Sequence, residues 1–331
     1  MKFAKILLGA VSIAILVLPA VFVLKKKYSA SECAKPPVSS IAGFDIIAVA
    51  GQSNAVGYGV GDPGPKVPGE EEAILQLGRM PDRDGKLIPA VEPLDNWDRR
   101  SGRISGKGIV GFALPFARLY MQKYLKPGRK ILIIPAGYGG TDIVQWEVPE
   151  NFDPAKVTLR TGLVTDLVAR IRMGESFQPP QGAQQFEHHL VAVLWHQGET
   201  NLDEWIRNDP QSYSIQQIPT PKEYMHRLTL LVEGLRRQFP SDGKVPFIAG
   251  EILGERYPDR PETKAFADHQ EELNSNTDFC TGFVHVAGLK SNAAEAATAD
   301  ASNALDNLHF NAASMIALGQ RYFDKYQQII K

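Results

Sequence analysis

From residue 43 onward, short apolar runs alternate with longer amphipathic stretches. Asp45–Ala50, Lys130–Pro135, Leu190–Trp195, Pro246–Ile252 and Gly282–Ala287 are rich in Val, Ile, Leu or Phe and are bounded by Gly, Pro or polar residues. Runs of this length with such boundaries predict buried strands. Between them, Gly111–Leu125 and Leu159–Met173 carry apolar residues at helical spacing. The stretch TPKEYMHRLTLLVEGLRRQF predicts a helix capped by Thr220, with Pro221 in its first turn and Glu223 soon after. NAASMIALGQRYFDKYQQII predicts a closing helix. Strand alternating with helix predicts an α/β domain with a mostly parallel sheet covered on both faces. Tyr58–Lys107 has little periodicity and much Gly, Pro and charge, and reads as a long surface excursion. No internal repeat or low-complexity tract interrupts the chain.

The N-terminus follows another pattern. Ile6 to Leu24 is an uncharged run with no polar face. As a helix it would be roughly 28 Å long, near the thickness of a bilayer core. A secretory h-region is shorter, about 7–15 residues. Tyr28-Ser29-Ala30-Ser31 is a poor cleavage site, and Glu32 before Cys33 argues against lipidation. Residues 1–27 are therefore expected to form a single transmembrane anchor, with a cleaved signal and secretion as the alternative. Residues 28–42 read as a linker and 43–331 as the globular domain. Lys2 and Lys5 before the run and Lys25–Lys27 after it leave the orientation nearly tied.

Composition adds exclusions. The 331 residues carry a net charge of −1, so no basic excess draws the chain to nucleic acid. The two cysteines, Cys33 and Cys280, have no metal-ligand spacing and would pair only in an oxidising compartment. No cofactor and no metal is expected.

Candidate chemistry clusters where predicted strands end, the place where open parallel sheets bind ligands. In Gly51-Gln52-Ser53-Asn54 a glycine turn exposes a single hydroxyl, which needs a base elsewhere to act as a nucleophile. Read alone, it is an ST-turn at a helix start. It is neither GxSxG nor a phosphate-binding loop. Gly139-Gly140, in IIPAGYGGTDIVQW, can present a backbone N–H to a developing oxyanion. VLWHQGETN collects His196, Gln197, Glu199 and Asn201 on one loop, with Gln197 or Asn201 as an amide donor. In ALDNLHFNAAS, Asp306 and His309 stand three apart, a spacing that sets a carboxylate against an imidazole. The plain alternative there is a helix cap beside a surface histidine.

The four blocks together, in this order, resemble the SGNH hydrolases. GQSNAVG, GGTDIVQW, WHQGETN and DNLHF resemble the sialate O-acetylesterase-type branch, carbohydrate esterase family six and its relatives, as do LPAVEPLDNWD, GFALPFARLY and PFIAGEI. The resemblance spans roughly Phe44 to Tyr326. It implies a flavodoxin-like three-layer α/β/α fold and an esterase that removes acetyl groups from sugars. By position it implies Ser53 as nucleophile, His309 as base and Asp306 as its orienting carboxylate. The oxyanion hole would combine the Ser53 N–H, the N–H of Gly139 or Gly140, and the Gln197 side chain, with Asn201 the runner-up. Gln197 stands where the wider superfamily has asparagine. Gln52, Asn54 and Glu199 would brace the loops, and Trp146, with Trp97 and Trp205, would suit a sugar surface. The implied partner is an acetylated carbohydrate, with the membrane reached through the N-terminal helix and the domain outside the cytoplasm. Three rivals stand beside this reading: a membrane-tethered carbohydrate-binding protein with an inactive esterase fold, an esterase for a lipid or thioester, and a metal-dependent deacetylase using His188, His189 and His196. Adjacent histidines on a strand face opposite ways, which makes His188-His189 a poor chelating pair.

Overall fold

The computed structural model describes residues 32–100, 109–148, 162–178, 186–275, 277–295 and 305–331. The expected anchor, residues 1–27, lies outside the described residues. Among those described, no helix is long and apolar enough to cross a membrane.

Nine strands and eleven α-helices are described. The strands are β1 Gly43–Gly51, β2 Gly59–Val60, β3 Ile74–Leu77, β4 Leu87–Pro89, β5 Ile109–Val110, β6 Arg129–Gly137, β7 His189–His196, β8 Phe247–Gly250 and β9 Thr281–Val284. The helices are α1 Ser53–Val56, α2 Glu70–Ala73, α3 Trp97–Arg100, α4 Ala113–Lys123, α5 Leu163–Glu175, α6 Glu199–Arg207, α7 Tyr213–Gln217, α8 Pro221–Gln238, α9 Pro261–Gln270, α10 Glu272–Ser275 and α11 Ala312–Ile329. Seven strands form one sheet in the order β4-β3-β6-β1-β7-β8-β9. Every neighbouring pair is parallel except β3–β4. The five strands β6-β1-β7-β8-β9 follow the 2-1-3-4-5 order of flavodoxin-like sheets, and the β3–β4 hairpin extends the β6 edge.

β1 runs through the middle and is buried along its whole length. Its side chains alternate between two cores, as a pleated strand requires. Ile46, Ala48 and Ala50 pack with Leu167 and Ile171 of α5 and Leu228 and Leu231 of α8. Ile47 and Val49 pack with Phe116 and Ala117 of α4 and Met315 and Tyr322 of α11. Helices therefore cover both faces, which is why the predicted strands read as near-continuous apolar runs rather than as alternating ones. α8 begins as expected, with Thr220 Oγ1 accepting from Glu223 N at 3.2 Å. Asn311 caps α11 in the same way, at 2.8 Å to Ser314 N.

One expectation is corrected here. The described part of 58–107 is not merely a surface excursion. It carries β3 into the main sheet, where Ile74 and Leu77 are fully buried. Some of its charged residues are paired inside: Asp95 accepts from Arg83 Nε and Nη2 at 2.7 and 2.8 Å, and buried Arg79 pairs with Asp166 at 2.5 Å. The described part of the linker is also fastened to the domain. Cys33 is disulfide-bonded to Cys280, and Ala34 N donates to Lys244 O at 3.0 Å.

At the opposite end of β1 from the glycine turn, Asp45 is fully buried. It accepts from Arg129 Nε at 2.6 Å and from the Tyr120 hydroxyl at 2.8 Å. This cluster ties β1, β6 and α4 together.

Candidate active site

β1 ends at Gly51, whose φ of +127° suits glycine; a Cβ there would fall 2.0 Å from His196 O. That closeness lets Gln52 N reach His196 O at 2.8 Å, so the turn is pinned to the end of β7. Ser53 is the first residue of α1, and an N–H at that position has no acceptor within its own helix.

The loop before α11 brings the other two groups. His309 Nε2 lies 2.9 Å from Ser53 Oγ, across 256 positions of sequence. His309 Nδ1 lies 3.0 Å from both Asp306 oxygens. A carboxylate on Nδ1 requires the proton there, so Nε2 presents its lone pair to the serine hydroxyl. Burial pushes the Asp306 carboxyl up, but the His309 ring, Asn292 and a backbone N–H outweigh it and hold it down to about 2. Asn292 donates to Asp306 Oδ2 at 2.8 Å and to Tyr58 O at 3.0 Å.

The other face of the site is built by Gly139-Gly140 and the loop after β7. Gly139 N–H donates to Asp98 Oδ2 at 2.8 Å. Gly140 is exposed, at φ +70°, with nothing near the place of a Cβ. Among the described residues the Gly139 N–H is taken by Asp98, while the Gly140 N–H, also beside the cavity, donates to none of them. Ser53, His309, Gln52, Gly139, Gly140 and Tyr58 line this cavity of about 290 Å³, with Glu199, Thr200, Asp203 and Leu308.

Gln197 does not take the place expected of it. It is fully buried outside the cavity lining, and its NH2 faces only protein acceptors: Asn201 Oδ1 at 2.9 Å, Thr141 O at 3.0 Å and Gln52 Oε1 at 3.3 Å. Asn201 is spent as well, accepting from Ile143 N at 3.1 Å and donating to Ser214 Oγ at 3.4 Å. The amide at the cavity wall is Gln52. Its oxygen accepts from Thr200 N at 3.2 Å and from Gly198 N and Gln197 Nε2 at 3.3 Å. Its NH2 donates to none of the described residues and is not sealed from solvent. The signal for this was present in the sequence, since Gln52 adjoins Ser53, but the direction of each amide was not.

Asn54 and Glu199 are bonded to each other beneath the cavity. Asn54 Nδ2 donates to Glu199 Oε1 at 2.6 Å and Leu308 O at 3.3 Å, and its oxygen accepts from Phe310 N at 3.3 Å. Burial pushes the Glu199 carboxyl up against that hydrogen bond. His196 is a core residue: burial pushes its ring down to about 3, and Nδ1 meets the Tyr322 hydroxyl at 3.2 Å. The tryptophans do not form a sugar platform. Trp146 is buried with its Nε1 on Thr141 Oγ1 at 3.0 Å, Trp205 donates to Ile218 O at 2.7 Å, and Trp97 sits between Arg79 and Asp166. Each of these indoles is committed to protein partners rather than to the cavity. His188 is bonded to Phe44 N and Phe177 O, and among the described residues no three His, Cys, Asp or Glu side chains gather as a metal site.

Comparison with known proteins agrees with this architecture. Residues 43–328 match the family described as carbohydrate esterase, sialic acid-specific acetylesterase. The crystal structure of NanS is similar at TM-score 0.57 and 21% identity, over 88% of this chain and 98% of that one. An Arabidopsis thaliana protein is similar at TM-score 0.55 and 20% identity, over 86% and 97%. No curated protein matches the chain. The likeness to these two structures concerns the fold. The match across 43–328 identifies the family: this chain belongs to the carbohydrate esterases of the sialic acid-specific acetylesterase type, and is a carboxylic ester hydrolase.

Proposed function

We propose that this esterase removes O-acetyl groups from carbohydrates through a Ser53-His309-Asp306 triad and an acyl-enzyme. The observation that carries the reading is the unbroken chain of contacts, 2.9 Å from Ser53 to His309 and 3.0 Å from His309 to Asp306. His309 Nε2 takes the serine proton as Oγ attacks the acetyl carbonyl, and Asp306 holds the resulting imidazolium. The same proton then goes to the departing sugar oxygen. Water, activated by the imidazole, hydrolyses the acetyl-serine and releases acetate. The oxyanion is met by the Ser53 N–H, the Gly140 N–H and the Gln52 amide.

Size and lining support a short acyl group. About 290 Å³ accommodates an acetyl group and part of a sugar ring, and every lining residue but Leu308 is polar or glycine. An esterase for lipids would need a long apolar channel. In this proposal the uncharged run Ile6–Leu24 tethers the domain to a membrane outside the cytoplasm, where the Cys33–Cys280 disulfide is stable.

The test is acetate release from 4-nitrophenyl acetate and from a panel of acetylated sugars, with wild type beside Ser53→Ala. Release that disappears in Ser53→Ala and survives a chelator is the expected result. Wild-type release by Ser53→Ala overturns the triad. Tight binding of acetylated sugars with no release overturns the enzymatic assignment of these residues.

A further inference from the structure

Tyr58 lines the cavity and stacks face to face on the His309 imidazole, with ring centroids 4.7 Å apart and planes 18° apart. Its hydroxyl donates to Asp98 Oδ2 at 3.0 Å. The same oxygen accepts from Gly139 N at 2.8 Å. One carboxylate on α3 thus holds both the ring that covers the imidazole and the glycine turn on the far side of the cavity. Neither residue belongs to the triad or to the oxyanion donors.

We infer that Tyr58 and Asp98 are a positioning pair that fixes the plane of His309 and favours its protonated form during the reaction. The inference rests on His309 acting as the base. A stacked aromatic ring leaves the imidazole free to slide in its plane but not to tilt, which keeps Nε2 aimed at Ser53. The ring face is negative, and a phenol that donates to a carboxylate becomes more electron-rich, so its face attracts an imidazolium more than a neutral imidazole. The attraction therefore grows as His309 takes the serine proton, the condition for lowering a barrier rather than merely holding the ground state. The other groups facing the ring are Asp306 at Nδ1, Ser53 at Nε2 and, from α6, the carboxyl of Glu199, whose charge acts on it across the cavity. None of them covers the face that Tyr58 covers.

The experiment compares full-length wild type with Tyr58→Phe, Tyr58→Leu, Asp98→Asn and Ser53→Ala, each checked for a cooperative melt. Tyr58→Phe keeps the ring and loses the tether. Asp98→Asn keeps an acceptor and loses the charge. Tyr58→Leu loses the aromatic face. The expected order of kcat is wild type, then Tyr58→Phe and Asp98→Asn, then Tyr58→Leu, with the last down about 3- to 30-fold. KM stays within about twofold, and the acidic limb of kcat/KM moves to lower pH in the three variants, because the protonated ring has lost support. Wild-type kcat in Tyr58→Leu overturns the inference. So does a rise in KM alone, which marks a substrate contact, or slower turnover with an unmoved acidic limb, which marks packing. An active Ser53→Ala would instead overturn the triad beneath it, so the two failures are distinguishable.

Discussion

The side-chain amide of Asn54 donates to the buried carboxyl of Glu199 at 2.6 Å, and with its other atoms it holds the backbone on both sides of His309. The residue after Ser53 thereby fastens the loop that carries His309. Asn54→Ala removes three bonds and leaves a buried carboxyl without its donor. The expected cost is about 1–3 kcal/mol in urea unfolding, with a fall in kcat larger than any rise in KM. Unchanged unfolding midpoints would show that Glu199 finds another partner.

The proposed triad carries a second prediction. Asp306→Asn keeps the shape of the side chain but presents the wrong partner to Nδ1–H, and turnover should fall by about three to four orders of magnitude. Rates measured against Ser53→Ala as the floor would check it. A fall below tenfold would mean that Asn292 and the backbone hold the imidazole without the carboxylate.

A third prediction separates two glutamines. Gln52→Ala removes an amide at the cavity wall and should lower kcat by about 10²- to 10³-fold, the usual effect of losing one oxyanion donor. Gln197→Ala removes an amide bonded only to protein, so its main effect should be on stability, about 1–3 kcal/mol. Thermal melts and kcat measured on both variants decide it. The opposite pattern would return Gln197 to the oxyanion hole.

Acid stability gives a fourth. The Asp306 carboxyl is held below its ordinary 3.8, at about 2, so the folded state favours its ionised form. That stabilisation, on the order of 2 kcal/mol, is fully present above about pH 4 and is lost as the pH falls through about 2. Asp306→Asn should therefore flatten the pH dependence of unfolding between those limits. Identical pH curves for the two proteins would refute this assignment.

Far from the site, Asp45 offers a fifth. Asp45→Ala leaves the fully buried Arg129 guanidinium and the Tyr120 hydroxyl without their shared acceptor. Breaking one side of a buried pair costs about 3–5 kcal/mol. Guanidinium unfolding would measure it, and a loss below 1 kcal/mol would show that water reaches the cluster.

Local pattern alone sufficed for much of this molecule. The five strands 2-1-3-4-5 were legible because strands buried on both faces are near-continuous apolar runs, and α8 and α11 because caps and helical periodicity are local signals. Ser53, Asp306 and His309 stood out at the turn after β1 and the D-x-x-H spacing, but read alone each suited a plain cap; only the resemblance of the four blocks joined them, and the fold brings them within hydrogen-bond distance. β3 was not: Ile74–Leu77 is four residues long, and it becomes a strand only because β6 lies beside it. The amides show the same limit. Residue type made Gln52, Gln197 and Asn201 all competent donors, but a side-chain amide turns freely until its partners are in place. Thr141 O and Asn201 Oδ1 turn Gln197 inward, and Gly198 N and Thr200 N take the oxygen of Gln52 and free its NH2. The tryptophans went the same way: an indole suits a sugar or a core equally, and packing chose the core. What the sequence determined was the set of reactive groups and the strands that carry them. Which donor faces the cavity, and which ring covers His309, was decided by contacts between residues scores to hundreds of positions apart, which no local pattern encodes.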